Sequence, residues 1–141
     1  MEKFLLVLII LIAASFIYLK LAIRFKIVDK PNQRSSHTKI TVRGGGIIFP
    51  IAIVLFFVFN QFQYPYFVAG VLLISLVSFL DDIYTLSSKI RFPFQLLAVA
   101  LVLIELEVPV EFWFFFYIIW GVGVINMFNF MDGINGITGL Y

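Results

Sequence analysis

The run GGGIIFPIAIVLFFVFNQFQYPYFVAGVLLISLVSFL, from Gly44 to Leu80, carries no charged side chain. A bilayer helix needs roughly 20 apolar residues, so this run is too long for one crossing. Its middle is broken by Asn60, Gln61, Gln63 and Pro65. Two short helices joined by a tight turn fit that pattern. On the N-terminal side, Phe4 to Leu19 is uncharged, and Lys20 and Arg24 snorkel at its far end, which makes a first span. A cleaved signal peptide is the competing reading. Against it, no small-residue cleavage site precedes the basic run, and Glu2 stands beside Lys3.

On the C-terminal side, Phe92 to Ile104 is apolar and gives way to Glu105, Glu107, Pro109 and Glu111, a loop at an interface. Phe112 to Met131 is again uncharged and opens with Trp113 and Tyr117, rings suited to the membrane boundary. The expected fold class is therefore an all-α integral membrane protein, one multi-span helix bundle with its N-terminus outside. The five spans are expected at about 4–23, 44–60, 66–82, 91–107 and 112–131, with cytoplasmic loops at 24–43, 81–91 and 129–141. A barrel would need alternating rather than continuous apolarity.

Composition agrees. Of 141 residues 62% are hydrophobic and 13% charged, too few charges for a water-soluble domain to cover its surface. Zero Cys removes disulfides, thiolate metal sites and cysteine nucleophiles. The net charge of +2 says little, but seven of the ten Lys and Arg fall between Lys20 and Arg43. By the positive-inside rule that loop and the one after the third span are cytoplasmic, and every polar cluster converges on one face.

Three clusters could carry chemistry. Asp81 and Asp82 follow an apolar run and precede Lys89 and Arg91. Adjacent carboxylates repel unless a cation or proton intervenes, and magnesium is a natural partner. If the helix continues, Asp81 shares a face with Thr85 and Ser88, and Asp82 with Leu86 and Lys89. A solvated helix end is the bland alternative. The second cluster is Asn126-Met-Phe-Asn129-Phe-Met-Asp132-Gly-Ile-Asn135-Gly136. Its amide and carboxylate oxygens suit a hard cation or the edge of a base, and its glycines allow close approach to a ligand. Helix-to-helix hydrogen bonding and a Gly-rich cap would also explain it. The third is the loop from Asp29 through Arg34, His37 and Lys39 to Arg43 and Gly44–Gly46, whose glycines and cations suit a phosphate. Positive-inside bias accounts for most of its charge, and His37 has no partner histidine for a metal.

In these three places together the sequence resembles the polyprenyl-phosphate N-acetylhexosamine-1-phosphate transferases, the WecA- and MraY-like enzymes of glycosyltransferase family 4. The resemblance rests on D-x-P-x-x-R-x-x-H at Asp29, Pro31, Arg34 and His37 ending in Gly44–Gly46. It rests also on Ser78-Phe-Leu-Asp81-Asp82 with Leu86-Ser-Ser-Lys89-Ile-Arg91 behind it, and on N-x-x-N-F-x-D-G-x-N-G from Asn126 to Gly136. It implies transfer of a sugar 1-phosphate from a UDP-sugar to undecaprenyl or another polyprenyl phosphate. UMP is released, Mg2+ is the cofactor with Mn2+ as a substitute, and the step initiates envelope polysaccharide synthesis at a bacterial inner membrane.

By resemblance Asp81 and Asp82 are the catalytic carboxylates, and Asn129 and Asp132 are metal ligands. Asn126, Asp132, Asn135 and Gly136 hold the nucleotide sugar, while Lys39, Arg43 and Lys89 contact phosphate. Asp29, Arg34 and His37 complete the first motif. The implied partners are the UDP-sugar, polyprenyl phosphate, the lipid bilayer and a second copy in a homodimer, with no nucleic acid. Two departures stand out: Thr85 where many relatives have a third acid, and Asn135 where many have a second Asp. Relatives also have about ten spans, with a further aspartate and a His-rich loop, so this chain is expected to be an N-terminal part, inactive alone. A multi-pass nucleotide-sugar-binding or assembly protein, or a transporter, is the alternative function.

Overall fold

The structure is a computed structural model and describes residues 2–29 and 41–131. Its architecture is all-α: α1 (Glu2–Arg24), α2 (Ile48–Phe59), α3 (Pro65–Tyr84), α4 (Ser88–Glu105) and α5 (Phe112–Met131). In lipid each backbone N–H and C=O must be satisfied within its own segment, and continuous apolar runs therefore become helices. Lys3–Arg24, Pro65–Tyr84 and Phe112–Asn129 are long and apolar enough to cross a membrane. The apolar helical stretch Gly45–Phe59 is shorter, and α4 carries Lys89 and Arg91 near its start and Glu105 at its end. Pro93 lies inside α4 and has no N–H to give the Lys89 carbonyl.

The break at residues 60–64 is sharp. The Asn60 side chain donates to the Phe56 carbonyl at 3.0 Å, and Gln61, Phe62 and Tyr64 all have positive φ, between 55° and 61°. Pro65 then opens α3, where its missing N–H costs nothing. The first free N–H groups of α3 are capped from another helix: Glu105, the last residue of α4, accepts from Tyr66 N–H at 2.6 Å and Phe67 N–H at 3.1 Å. A carboxylate is poorly placed at its own helix C-terminus and well placed at a neighbour's N-terminus.

Neighbours in sequence are neighbours in space, with α3 on α4, α4 on α5, α2 on α3 and α1 on α2. Small residues bring the backbones together. A Cβ added at Gly70 would lie 2.8 Å from the Ala98 carbonyl oxygen, and one at Gly121 would lie 2.9 Å from Val99 Cγ1. The buried residues, among them Val68, Val77, Ala98, Leu103 and Val122, follow this seam, while large apolar side chains such as Phe4 and Phe112 face outward. That inversion of the soluble pattern suits a helix bundle surrounded by acyl chains.

One element is new relative to the sequence reading. β1 (Val28–Asp29) and β2 (Thr41–Val42) form a two-residue antiparallel pair, Val28 opposite Val42 and Asp29 opposite Thr41. Hydropathy cannot foresee it, because the pairing depends on which residues meet across the intervening loop. The alternation of helix direction has a larger consequence: the C-termini of α1, α3 and α5 and the N-termini of α2 and α4 lie at one end. Lys20, Arg24, Arg43, Lys89 and Arg91 are at that end, and Glu105, Glu107 and Glu111 at the other.

Candidate active site

Asp81 and Asp82 sit in the last turn of α3, the negative end of the helix dipole, where two adjacent carboxylates are least welcome. Cations from two other elements offset this. Arg91, in the first turns of α4, donates from Nη1 to Asp81 Oδ2 at 2.8 Å. Arg43 Nη1 donates to the Asp82 backbone carbonyl at 3.0 Å, one of the carbonyls the helix end leaves without an internal partner.

The position of Arg43 follows from its neighbours. Its N–H donates to the Ile27 carbonyl at 3.2 Å, continuing the β1–β2 clamp, and its own carbonyl accepts from the Tyr18 hydroxyl on α1. Gly44 then turns the chain into the 3-10 turn Gly45–Ile47 with φ 71°. A Cβ there would lie 2.3 Å from the Tyr18 hydroxyl and 2.8 Å from the Phe79 ring, so no other residue fits without displacement.

A cavity of about 330 Å³ opens among the three helices, lined by Ser78, Asp81, Asp82, Arg91, Gln95 and Asn129. The chain thus brings together Asp81, Asp82 and Asn129, residues from two clusters far apart in sequence. Asn126 is one turn away from that cavity. Its Nδ2 donates to Gln95 Oε1 and to the Val122 carbonyl, both at 2.9 Å, and Gln95 is 7% exposed. With Ser88, Lys89, Arg91 and Gln95, Asn126 lines an adjoining space of about 290 Å³. Lys89 therefore faces the neighbouring space rather than the one shared by the carboxylates. On the other side of α3 an apolar cleft of about 400 Å³ runs past Gly46, Ile47 and Phe79 and also reaches Asp82.

The extrapolated helix face beyond Asp82 is corrected by the structure. α3 ends at Tyr84; Thr85 takes a left-handed conformation with φ 50°, and its hydroxyl donates to the Tyr84 carbonyl at 2.8 Å rather than joining Asp81. Ser88 and Lys89 belong to the next helix, so α3 periodicity does not place them. Arg34, His37, Lys39, Asp132, Asn135 and Gly136 lie outside the described residues, and Asp29 is described only as a backbone partner in β1.

Among the described residues no three of His, Cys, Asp and Glu gather to hold a metal. The cavity's carboxylate and amide oxygens are instead those of Asp81, Asp82, Asn129 and Gln95, and the Gln95 oxygen already accepts from Asn126. All are hard ligands, and Mg2+ is commonly held by one or two carboxylates with substrate phosphates and water completing the shell, so the donor set fits. Two residues of the site escaped the sequence reading as site residues, Arg91 and Gln95. Their signal was present: a Gln within an apolar helix, one turn after an Arg, is costly in lipid unless it has a partner.

Comparison with known proteins bears on this site. The model of glycosyl transferase family 4 matches residues 64–141, the stretch holding α3, α4 and α5. A Bacillus subtilis protein named "Probable undecaprenyl-phosphate N-acetylglucosaminyl 1-phosphate transferase" is 28% identical, over 84% of this chain and 38% of its own length. Two proteins named undecaprenyl-phosphate alpha-N-acetylglucosaminyl 1-phosphate transferase are similar as well. That of Thermotoga maritima is 29% identical over 78% of this chain and 38% of its own, and that of Yersinia pestis 32% over 88% and 39%. The chain therefore spans about two fifths of the length of the curated relatives it matches. No solved structure matches it significantly. With the family model covering more than half of its residues and the helices that build the cavity, this membrane chain belongs to glycosyl transferase family 4.

Proposed function

We propose that the protein containing this chain transfers a sugar 1-phosphate, of the N-acetylhexosamine class, from a UDP-sugar to a polyprenyl phosphate. The observation that carries this is the meeting of Asp81, Asp82 and Asn129 around one cavity with Arg91 on its wall. The relatives' names supply the acceptor and the sugar phosphate. In the reaction an acceptor phosphate oxygen bonds to the sugar-bearing phosphorus, and the bond from that phosphorus to the bridging oxygen breaks, releasing UMP. An acceptor phosphate already largely ionised asks for no general base, so the residues' work is charge balance and positioning.

Asp81, Asp82 and Asn129 would hold Mg2+, with Asp132 as a further ligand. Bound there, the ion supplies charge neutralisation to the diphosphate. Asp82 stands between the polar cavity and the apolar cleft, which suits an acceptor whose head is a phosphate and whose tail is a prenyl chain. The basic residues at the same end, against glutamates at the other, support a cytoplasmic orientation for the site at a bacterial inner membrane. Initiation of an envelope polysaccharide is the role such a product would serve.

Release of labelled UMP from UDP-N-acetylglucosamine by membranes carrying the full-length protein and undecaprenyl phosphate tests the proposal. Dependence on the acceptor and on Mg2+ is expected. Retention of nucleotide without turnover, or its movement into vesicles uncleaved, would overturn it.

A further inference from the structure

Arg91 is placed to do more than balance charge. Its pair with Asp81 is only partly shielded, the two side chains being 21% and 23% exposed, and it lies on the wall between the carboxylate cavity and the space containing Lys89 and Ser88. Its hydrogen bonding is incomplete. Nη1 is well used, Nη2 reaches Ser88 Oγ at 3.5 Å, and Nε is buried with no hydrogen-bond partner among the described residues. A guanidinium offers five donors in a planar fork that suits phosphate oxygens. Meanwhile the carboxylate it occupies is one of the two on the cavity able to bind a hard cation.

We infer that Arg91 is a positioning residue that couples cation and phosphate binding. Paired with Asp81, it neutralises that carboxylate; an entering diphosphate draws the guanidinium away, and Asp81 becomes available to a divalent cation. This rests on the proposed function, since it needs both ligands in the one cavity. Its thermodynamic form is reciprocal: each ligand strengthens the other by the same factor, and that factor depends on Arg91. Without the arginine, Asp81 and Asp82 face the cavity with one positive charge fewer, and the cation alone binds better.

The test uses full-length protein in lipid nanodiscs, with Mn2+ and UDP as probes, binding being read from the free-Mn2+ spin-resonance signal and by calorimetry. In the wild type each probe should tighten the other's binding by about tenfold. Mn2+ complexes UDP in solution, so the deciding arms use one probe at a time. Arg91→Gln should bind Mn2+ alone several-fold more tightly than the wild type, with Arg91→Lys between them. Asp81→Asn, which releases Arg91 from its carboxylate, should bind UDP alone more tightly while weakening Mn2+. It also serves should Arg91→Gln fail to fold. Unchanged or weaker Mn2+ binding by a folded Arg91→Gln protein, or unchanged or weaker UDP binding by Asp81→Asn, overturns the coupling. Wild-type protein that binds neither probe overturns the proposed function itself.

Discussion

Gln95 and Asn126 face each other across the α4–α5 seam, the Asn126 amide donating to Gln95 Oε1 at 2.9 Å. One turn toward the polar end, the same two helices deliver Arg91 and Asn129 to the cavity. The amide pair therefore sets the register on which the site's α4 and α5 side depends. Gln95→Leu leaves the Asn126 amide short of a partner in an apolar seam and should cost about 1–3 kcal/mol. The double replacement Gln95→Leu with Asn126→Leu should cost less than the sum of the singles, because neither amide is then stranded. Reversible unfolding in mixed micelles measures both, and strict additivity would show that the pair does not act as a unit.

In the full-length protein, Asp82→Asn and Asn129→Ala should each abolish UMP release while leaving membrane insertion intact. Both residues line the carboxylate cavity. Wild-type turnover in either variant would remove that residue from the site.

Glu105 holds the opposite end of the bundle by capping Tyr66 and Phe67 on α3. Removing the acceptor with Glu105→Ala should destabilise the helix pair by about 0.5–2 kcal/mol, the range for a lost N-terminal cap, and Glu105→Gln should cost less. Amide hydrogen exchange should quicken at Tyr66 and Phe67 in the Ala variant. Equal protection in variant and wild type would contradict the cap.

Gly44→Ala meets two obstacles, a left-handed backbone and the Tyr18 hydroxyl. The backbone term alone is about 1–2 kcal/mol. Tyr18→Phe gives up the hydroxyl's bond to the Arg43 carbonyl but removes the closer of the two contacts, so the double variant should recover part of the loss relative to the sum of the two singles, though the Phe79 ring remains. Unfolding measurements on the wild type and the three variants would reveal the recovery or its absence.

Much of this molecule could be read from its residues, and what could not has a common cause. The uncharged run with Asn60 to Pro65 at its middle becomes α2, a tight turn and α3, because lipid leaves an apolar segment few choices other than a helix. Helix count and alternation then bring Asp81, Asp82 and Asn129 to one end. The hydrogen-bond partners were not legible. Arg91 on Asp81, Gln95 on Asn126 and Glu105 on Tyr66 each join residues from different helices, and such matches depend on rotation about the helix axes, which hydropathy does not specify. The end of α3 at Tyr84 was obscured for a related reason: Thr85 carries no Gly or Pro signal, yet it adopts the left-handed turn that stops the helix.

The close approach of α3 to α4 at Gly70 and Ala98 has a practical meaning for anyone diversifying this protein. Cohesion there comes from main chains lying nearly in touch, with Val68, Val77 and Leu103 buried along the same seam. Swapping outward phenylalanines and leucines for other greasy residues should pass almost unnoticed, whereas a single methyl at position 70 would prise two rods apart. Along these helix seams tolerance to mutation will therefore rise with side-chain size, with Gly70 and Gly121 the least replaceable.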